Sequence, residues 1–367
     1  MDRFQKKYIL ADLHKKMVFL EGPRGVGKRT IAQSIAKNFQ SPLFLNYSKQ
    51  EDREIILDIE RHPNRELFIL SEIHKMPNSR DFLNKIYQVK KPHQKFLILC
   101  NEKQKEIYPL SDSLHRVLPL TPLECEDVKT SYSIDHFLER GGFPEPLLAS
   151  DSSFANSWRL QYIDSFLKNN MPPFENIHSS KLMLHTLELL KERVGSPISY
   201  ASLGEAIGTT ADSVKKYIEL FIANHLIFII TPYSNKVPRS LLKEPKIYFY
   251  DIALVKGNKG ARFENLIALS LLKHTYFQID TQSLNYSLHY LRAKDGREVD
   301  FALLHDNTIV RAIEVKHSNS GIHPALSYFN QKHNLPCCQV TKKLKHEKSI
   351  NGISILKAAT FFKSLAL

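Results

Sequence analysis

A chain of 367 residues with 43% hydrophobic content is long enough for two or three domains with packed cores. Its 51 Lys+Arg against 38 Asp+Glu give a formal net charge of +13, which favours polyanionic partners, nucleic acid before membrane, since no stretch reads as a membrane span. The four cysteines, Cys100, Cys125, Cys337 and Cys338, fit no zinc spacing and no disulfide framework, and no apolar signal core follows the first residues, so a cytoplasmic protein is expected.

Residues 1–128 alternate short apolar runs with amphipathic stretches, which predicts an α/β domain with a mostly parallel sheet. Strands are expected at Met17–Leu20, Pro42–Leu45, Leu67–Leu70, Lys95–Cys100 and Val117–Leu120, and a helix over Thr30–Asn38. The first strand leads into Gly22-Pro23-Arg24-Gly25-Val26-Gly27-Lys28-Arg29-Thr30, which fills the pattern G-x-x-x-x-G-K-[ST] except at Arg29. In such a loop the backbone N–H groups and the lysine hold phosphates, and the final hydroxyl binds Mg²⁺. ATP or ADP is therefore the expected ligand. The second metal ligand is an Asp at the end of a hydrophobic strand; Ser71 stands there, and Glu72 follows as the candidate water-activating acid. Thr30 does not replace the missing hydroxyl, because one step along a helix turns a side chain by about 100°. Losing both ligands predicts phosphate binding through Lys28, the loop and the helix N-terminus, with Mg²⁺ doubtful and hydrolysis slow.

Residues 129–190 read as helical, interrupted by Gly141-Gly142-Phe143-Pro144 and by Pro172-Pro173. Within residues 191–256, a helix at Tyr200–Ile207, a turn at Gly208-Thr209-Thr210 and a helix at Ala211–Asn224 precede a hairpin of Ile227–Thr231 with Ile247–Tyr250. That order predicts a winged helix. Lys215 and Lys216 on the second helix, and Lys236, Arg239, Lys243 and Lys246 on the wing, are the candidate nucleic-acid contacts.

Residues 257–367 return to mixed α/β and carry a second constellation: Glu264 early in a helix, Asp300 in Glu298-Val299-Asp300-Phe301, then Ile313-Glu314-Val315-Lys316. Glu314 and Lys316 lie two apart on an apolar strand and project from one face. An Asp followed by Glu-x-Lys on the adjoining strand predicts a restriction-endonuclease-like, PD-(D/E)xK, fold. In it Asp300 and Glu314 would hold Mg²⁺, Lys316 would position a water, and Glu264 would add a carboxylate. The basic run Lys342–Lys348 reads as a solvated edge.

With these strings the chain resembles the prokaryotic AAA-type ATP-binding proteins that pair a P-loop domain with a C-terminal domain of unknown function. Their loop G-P-R-x-V-G-K-T-T is similar to Gly22–Thr30, and their L-D-E-I to Leu70-Ser71-Glu72-Ile73. Where their next strand ends in Gly-Ser this chain has Cys100-Asn101, and where they have Gly-Arg it has His115-Arg116 before Pro122-Leu123-Glu124. Their G-G-[YF]-P-E is intact as Gly141–Glu145, and E-V-D-F and I-E-V-K recur as written. The resemblance implies an ATP-binding fold, and the net positive charge, the winged-helix order and the nuclease-like strings add the expectation that the protein engages nucleic acid. Self-association is part of that expectation, with Arg116 or Arg140 as the arginine that completes a neighbour's site. Three further readings stay open: an Mg²⁺-dependent nuclease with a scaffold P-loop domain, an inactive interaction module, and a conventional ATPase with a rebuilt metal site.

Overall fold

The computed structural model describes residues 3–103, 113–125, 132–170, 177–234, 244–318 and 321–365. They divide into two compact units, one of Met1–Leu118 with Ala223–His225, the other of Pro119–Ile222 with Leu226–Leu367. Among the described residues no helix is long and apolar enough to cross a membrane.

The first unit is built on a parallel sheet. Its strands β1 (Val18–Glu21), β2 (Pro42–Asn46), β3 (Leu67–Ser71), β4 (Lys95–Cys100) and β5 (Ser113–Arg116) lie in the order β2-β3-β4-β1-β5. β1 is buried along its whole length, as expected of a strand covered on both faces. Helices α1 (Lys6–Leu13), α2 (Lys28–Ala36), α3 (Gln50–Leu57) and α4 (Ser79–Val89) complete the unit. In one core layer Phe19, Phe68, Leu70, Phe96 and Ile98 of the sheet pack with Leu83 and Ile86 of α4, and Phe68 stacks on Phe96 at 5.1 Å between centroids. α2 buries Lys28, Ile31, Ala32, Ile35 and Ala36, a stripe at helical spacing. It begins two residues before the expected start because Gly27, at φ 101°, turns the chain directly into the helix.

The expected strand Val117–Leu120 is not one: β5 ends at Arg116. Val117 still donates its N–H to Glu21 O, and Val117, Leu118 and Leu120 are buried. A buried apolar coil and a buried strand look alike in sequence, and here Ser113–Arg116, apolar only at Leu114, carry the pairing.

The second unit opens with helices α5 (Ile134–Arg140), α6 (Pro144–Leu148), α7 (Ser152–Asn170) and α8 (Ile177–Glu192). The glycine pair between α5 and α6 has a steric cause. Gly141 sits at φ +75°, and a Cβ there would come within 2.1 Å of the Asp251 carboxylate, which pairs with Arg159 Nε at 3.0 Å. Then follow α9 (Tyr200–Ile207) and α10 (Ala211–Ala223), with β6 (Ile227–Ile230) antiparallel to β7 (Lys246–Phe249).

The long helix α11 (Lys259–Gln282) comes next. Its fully buried Asn265 accepts the N–H of Phe249 and donates to the Phe249 carbonyl, both at 2.8 Å, and so satisfies an edge of β7 as a neighbouring strand would. The last sheet contains β8 (Tyr286–Arg292), β9 (Glu298–His305), β10 (Thr308–Ser318), β11 (Cys337–Lys343), β12 (Lys348–Ile350) and β13 (Ile353–Lys357) in the order β12-β13-β11-β10-β9-β8. β8, β9 and β10 are an antiparallel meander, while β11 returns parallel to β10 after helix α12 (Pro324–His333). A short helix α13 (Ala358–Lys363) ends the unit.

Candidate functional site

At the carboxyl end of β1 the phosphate loop runs from Gly22 into α2. Lys28 is 5% exposed, and its ammonium donates to the carbonyls of Gly22 at 2.6 Å and Pro23 at 2.8 Å. Burial pushes its pKa down to about 7, with the Arg24 charge adding to the fall and Cys100, Glu21 and Glu72 opposing it. Beside it burial pushes the Cys100 thiol up to about 12. A lysine held by neutral carbonyls at the N-terminus of a helix is suited to an anion that offers it charged oxygens.

The metal side of the site is arranged differently. Ser71, in the position of the expected Asp, donates its hydroxyl to Leu45 O on the neighbouring strand at 3.2 Å. Arg29 and Thr30 are both solvent-exposed on the first turn of α2, with the Arg29 guanidinium 6.0 Å from the Phe44 ring centroid. Glu72 is buried and lies at φ 56°, just past β3. It takes hydrogen bonds from Asn101 Nδ2 at 2.5 Å and Lys75 Nζ at 2.9 Å, with Arg24 at 3.7 Å and His74 at 3.8 Å. Burial acts to raise its pKa, but Lys75, Arg24 and His74 outweigh it and the net shift is downward. A carboxylate gripped in this way is a poor proton acceptor. The loop thus presents Lys28 and a helix N-terminus, while the Ser71 hydroxyl is engaged with Leu45 and the Glu72 carboxylate with Lys75 and Asn101.

Asn101 was not a candidate from sequence; its one signal was its position directly after the hydrophobic strand β4. Glu21 and His225 were also missed. His225 is one of the three residues that rejoin the first unit, is 3% exposed, and places Nε2 3.9 Å from Glu21 Oε1. Burial, then the charges of Lys103 and Lys28, push its pKa well down, so its ring is neutral. Arg116 ends β5 in register with Glu21. Arg140 belongs to the second unit, where its Nη1 donates to Asp151 O and its Nε lies 3.8 Å from Glu139.

The second constellation comes together in the last sheet. Lys316 Nζ donates to Glu314 Oε1 at 2.6 Å, and Asp300 Oδ2 accepts the N–H of Val315 at 2.8 Å across the β9–β10 pair. Asp300 stands third in β9 rather than closing it. Glu264 on α11 accepts from the Tyr248 hydroxyl at 2.8 Å. Burial and the Asp300 charge push the pKa of both Glu264 and Glu314 upward. Burial and Glu264 likewise push the Tyr248 hydroxyl well up.

Lys246 corrects a reading of the wing. It is not a surface cation: it is 1% exposed, with Nζ 2.7 Å from Glu298 and 3.7 Å from Asp300. Burial acts against its charge, but Asp300, Glu264 and Glu298 outweigh that and raise its pKa. Among the described residues no group of three or more His, Cys, Asp or Glu is placed to hold a metal ion. Lys215 and Lys216 are exposed on α10, with Lys215 3.9 Å from Glu219; Lys236, Arg239 and Lys243 lie outside the described residues.

Comparison with known proteins agrees with this division. Residues 14–116 match the family described as AAA domain. Residues 132–262 and 259–361 match two domains of unknown function, DUF8612 and DUF4143. No curated protein matches the chain significantly. Among solved structures, a Walker-type ATPase of Pyrococcus abyssi is similar with a TM-score of 0.43 at 10% identity, over 68% of this chain and 93% of that one. A RuvB variant of Thermotoga maritima gives 0.33 at 15% identity, over 65% and 94%.

Proposed function

We propose that this protein is an AAA-type nucleotide-binding protein that retains ATP or ADP on the Gly22–Lys28 loop, hydrolyses it slowly if at all, and engages nucleic acid through its second unit. The observation that carries the first part is the contrast inside one loop. Lys28 sits at the N-terminus of α2 with backbone carbonyls as partners, while the Ser71 hydroxyl is committed to Leu45 and the Glu72 carboxylate to Lys75 and Asn101. Lys28 and the loop N–H groups would bind the phosphates, which bring their own charge and leaving group. Beside the loop, Ser71 offers no carboxylate to order a metal, and Glu72 is held in a state that does not accept a proton readily. Titration of ATP into the full-length protein with and without Mg²⁺ tests this reading. Binding that is indifferent to Mg²⁺ is expected, and Mg²⁺-dependent turnover near ~1 s⁻¹ would refute it.

The nucleic-acid part rests on the second unit. The succession of α9, turn, α10 and the β6–β7 hairpin supports a winged-helix reading, with Lys215 and Lys216 on the exposed face of its second helix. The order α11, β8–β9–β10 meander, α12, β11 supports a PD-(D/E)xK-like framework. DNA affinity should fall steeply as salt rises, because phosphate contacts release counterions; affinity that holds between ~50 and ~200 mM salt counts against it.

A further inference from the structure

Four carboxylates share one interior region of the second unit: Glu264 of α11, Glu298 and Asp300 of β9, and Glu314 of β10. A lysine from another strand lies among them. The Lys246 side chain, on β7, is 2% exposed; its ammonium contacts Glu298 Oε1 at 2.7 Å, faces Asp300 Oδ1 at 3.7 Å and lies 5.2 Å from the Tyr290 ring centroid. Tyr248, two residues on along the same face of the strand, is fully buried, and Tyr290 is 1% exposed.

A divalent ion at Asp300 and Glu314 would have to compete for carboxylate oxygens that, except for Glu314 Oε2, already face a cation or an N–H donor. Asp300 offers Oδ1 to Lys246 and Oδ2 to the Val315 N–H. Glu314 gives Oε1 to Lys316, while its Oε2, on a side chain only 4% exposed, has no hydrogen-bond partner. Glu264 is taken by Tyr248. An incoming cation would also take Asp300 from the Lys246 ammonium and set a second positive charge beside it, leaving the buried lysine with Glu298 alone, and a buried charge with fewer partners is costly. A covalently attached cation needs no recruitment from solution, so it wins that competition.

We propose that Lys246 is the resident cation of this cluster: the native protein binds no divalent ion between Asp300 and Glu314, and removing the lysine side chain converts the same carboxylates into a divalent-cation site. This inference stands apart from the nucleotide reading of the first unit. It removes metal-dependent phosphodiester cleavage from the second unit and leaves it a binding module.

Mn²⁺ binding to the full-length, nucleotide-free protein, read by electron paramagnetic resonance, tests it in four variants: native, Asp300→Asn, Lys246→Ala, and Lys246→Ala with Asp300→Asn. The native protein and Asp300→Asn should titrate alike. Lys246→Ala should gain one bound Mn²⁺ that the native protein lacks, and lose it again with Asp300→Asn. Thermal melts should show Mn²⁺ raising the transition of Lys246→Ala alone. An Asp300-dependent Mn²⁺ in the native protein overturns the proposal, as does folded Lys246→Ala that gains none. If Lys246→Ala does not fold, Lys246→Gln, which keeps the stem and drops the charge, takes its place, and the native pair is decisive without either.

Discussion

Phosphate binding at the loop should consume a proton, and raising the pH is the perturbation that reveals it. In the ligand-free protein burial holds the Lys28 pKa at about 7, so at pH 8 about one molecule in ten carries the ammonium. A bound phosphate supplies charged oxygens in place of the Gly22 and Pro23 carbonyls and favours the charged form. Affinity should then fall by roughly fifty-fold between pH 7 and pH 9, since each unit above the free pKa costs about a factor of ten. The neighbours do not confuse the signal: burial holds Cys100 up at about 12, His225 is pushed well down, and Glu72 is shifted downward. A terminal phosphate, with its second ionisation near ~6, is already fully charged there.

Calorimetry at pH 8 in buffers of different ionisation enthalpy should report uptake of nearly one proton per nucleotide, and Lys28→Arg should remove most of the dependence. Stability moves the other way. The unfolded chain keeps the Lys28 proton to 10.5 and the folded one releases it near 7, so the unfolded state binds more protons across that window and this group makes stability rise with pH. A dissociation constant that changes less than about threefold from pH 7 to 9, with no buffer dependence, would refute the argument.

Restoring both missing metal ligands with Arg29→Thr and Ser71→Asp should confer Mg²⁺-dependent phosphate release, measured by a coupled assay, where neither single change does. Gly141→Ala should lower the stability of the second unit by about 2–4 kcal/mol in urea melts, because it places a methyl against the Asp251 carboxylate at a positive φ. Lys273→Met should cost about 3–5 kcal/mol, because Glu124 is left buried without the ammonium it shares with Pro119 O; adding Glu124→Gln should recover part of the loss. Lys215→Ala with Lys216→Ala should reduce the slope of DNA affinity against salt by about 1–2 counterions.

What could be read in advance follows from how local each feature is. Strand, glycine loop and helix are contiguous, so the motif Gly22–Lys28 is legible by itself even though Arg3, Cys100 and Val117 close on the loop from elsewhere in the chain, and the register of apolar positions in α2 follows its helical period. The tie between the Ser71 hydroxyl and Leu45 depends on which strand lies beside β3, which no local pattern encodes. Val117–Leu120 misled because burial, not pairing, is what an apolar run reports.

Lys246 is the sharpest case. Next to Lys236, Arg239 and Lys243 it looked like one more wing cation, yet Lys246 and Tyr248 alternate on one face of an otherwise apolar strand, Lys246-Ile247-Tyr248-Phe249. A lysine at an inward position needs a buried acid to hold its charge. Asp300 and Glu298, which supply it, come from β9, and the Tyr248 hydroxyl meets Glu264 from α11. The acids that suggested a metal centre and the lysine that suggested a groove contact are thus two halves of one charge balance. Each was visible alone, and only the packing of β7 against α11 and β9 joins them.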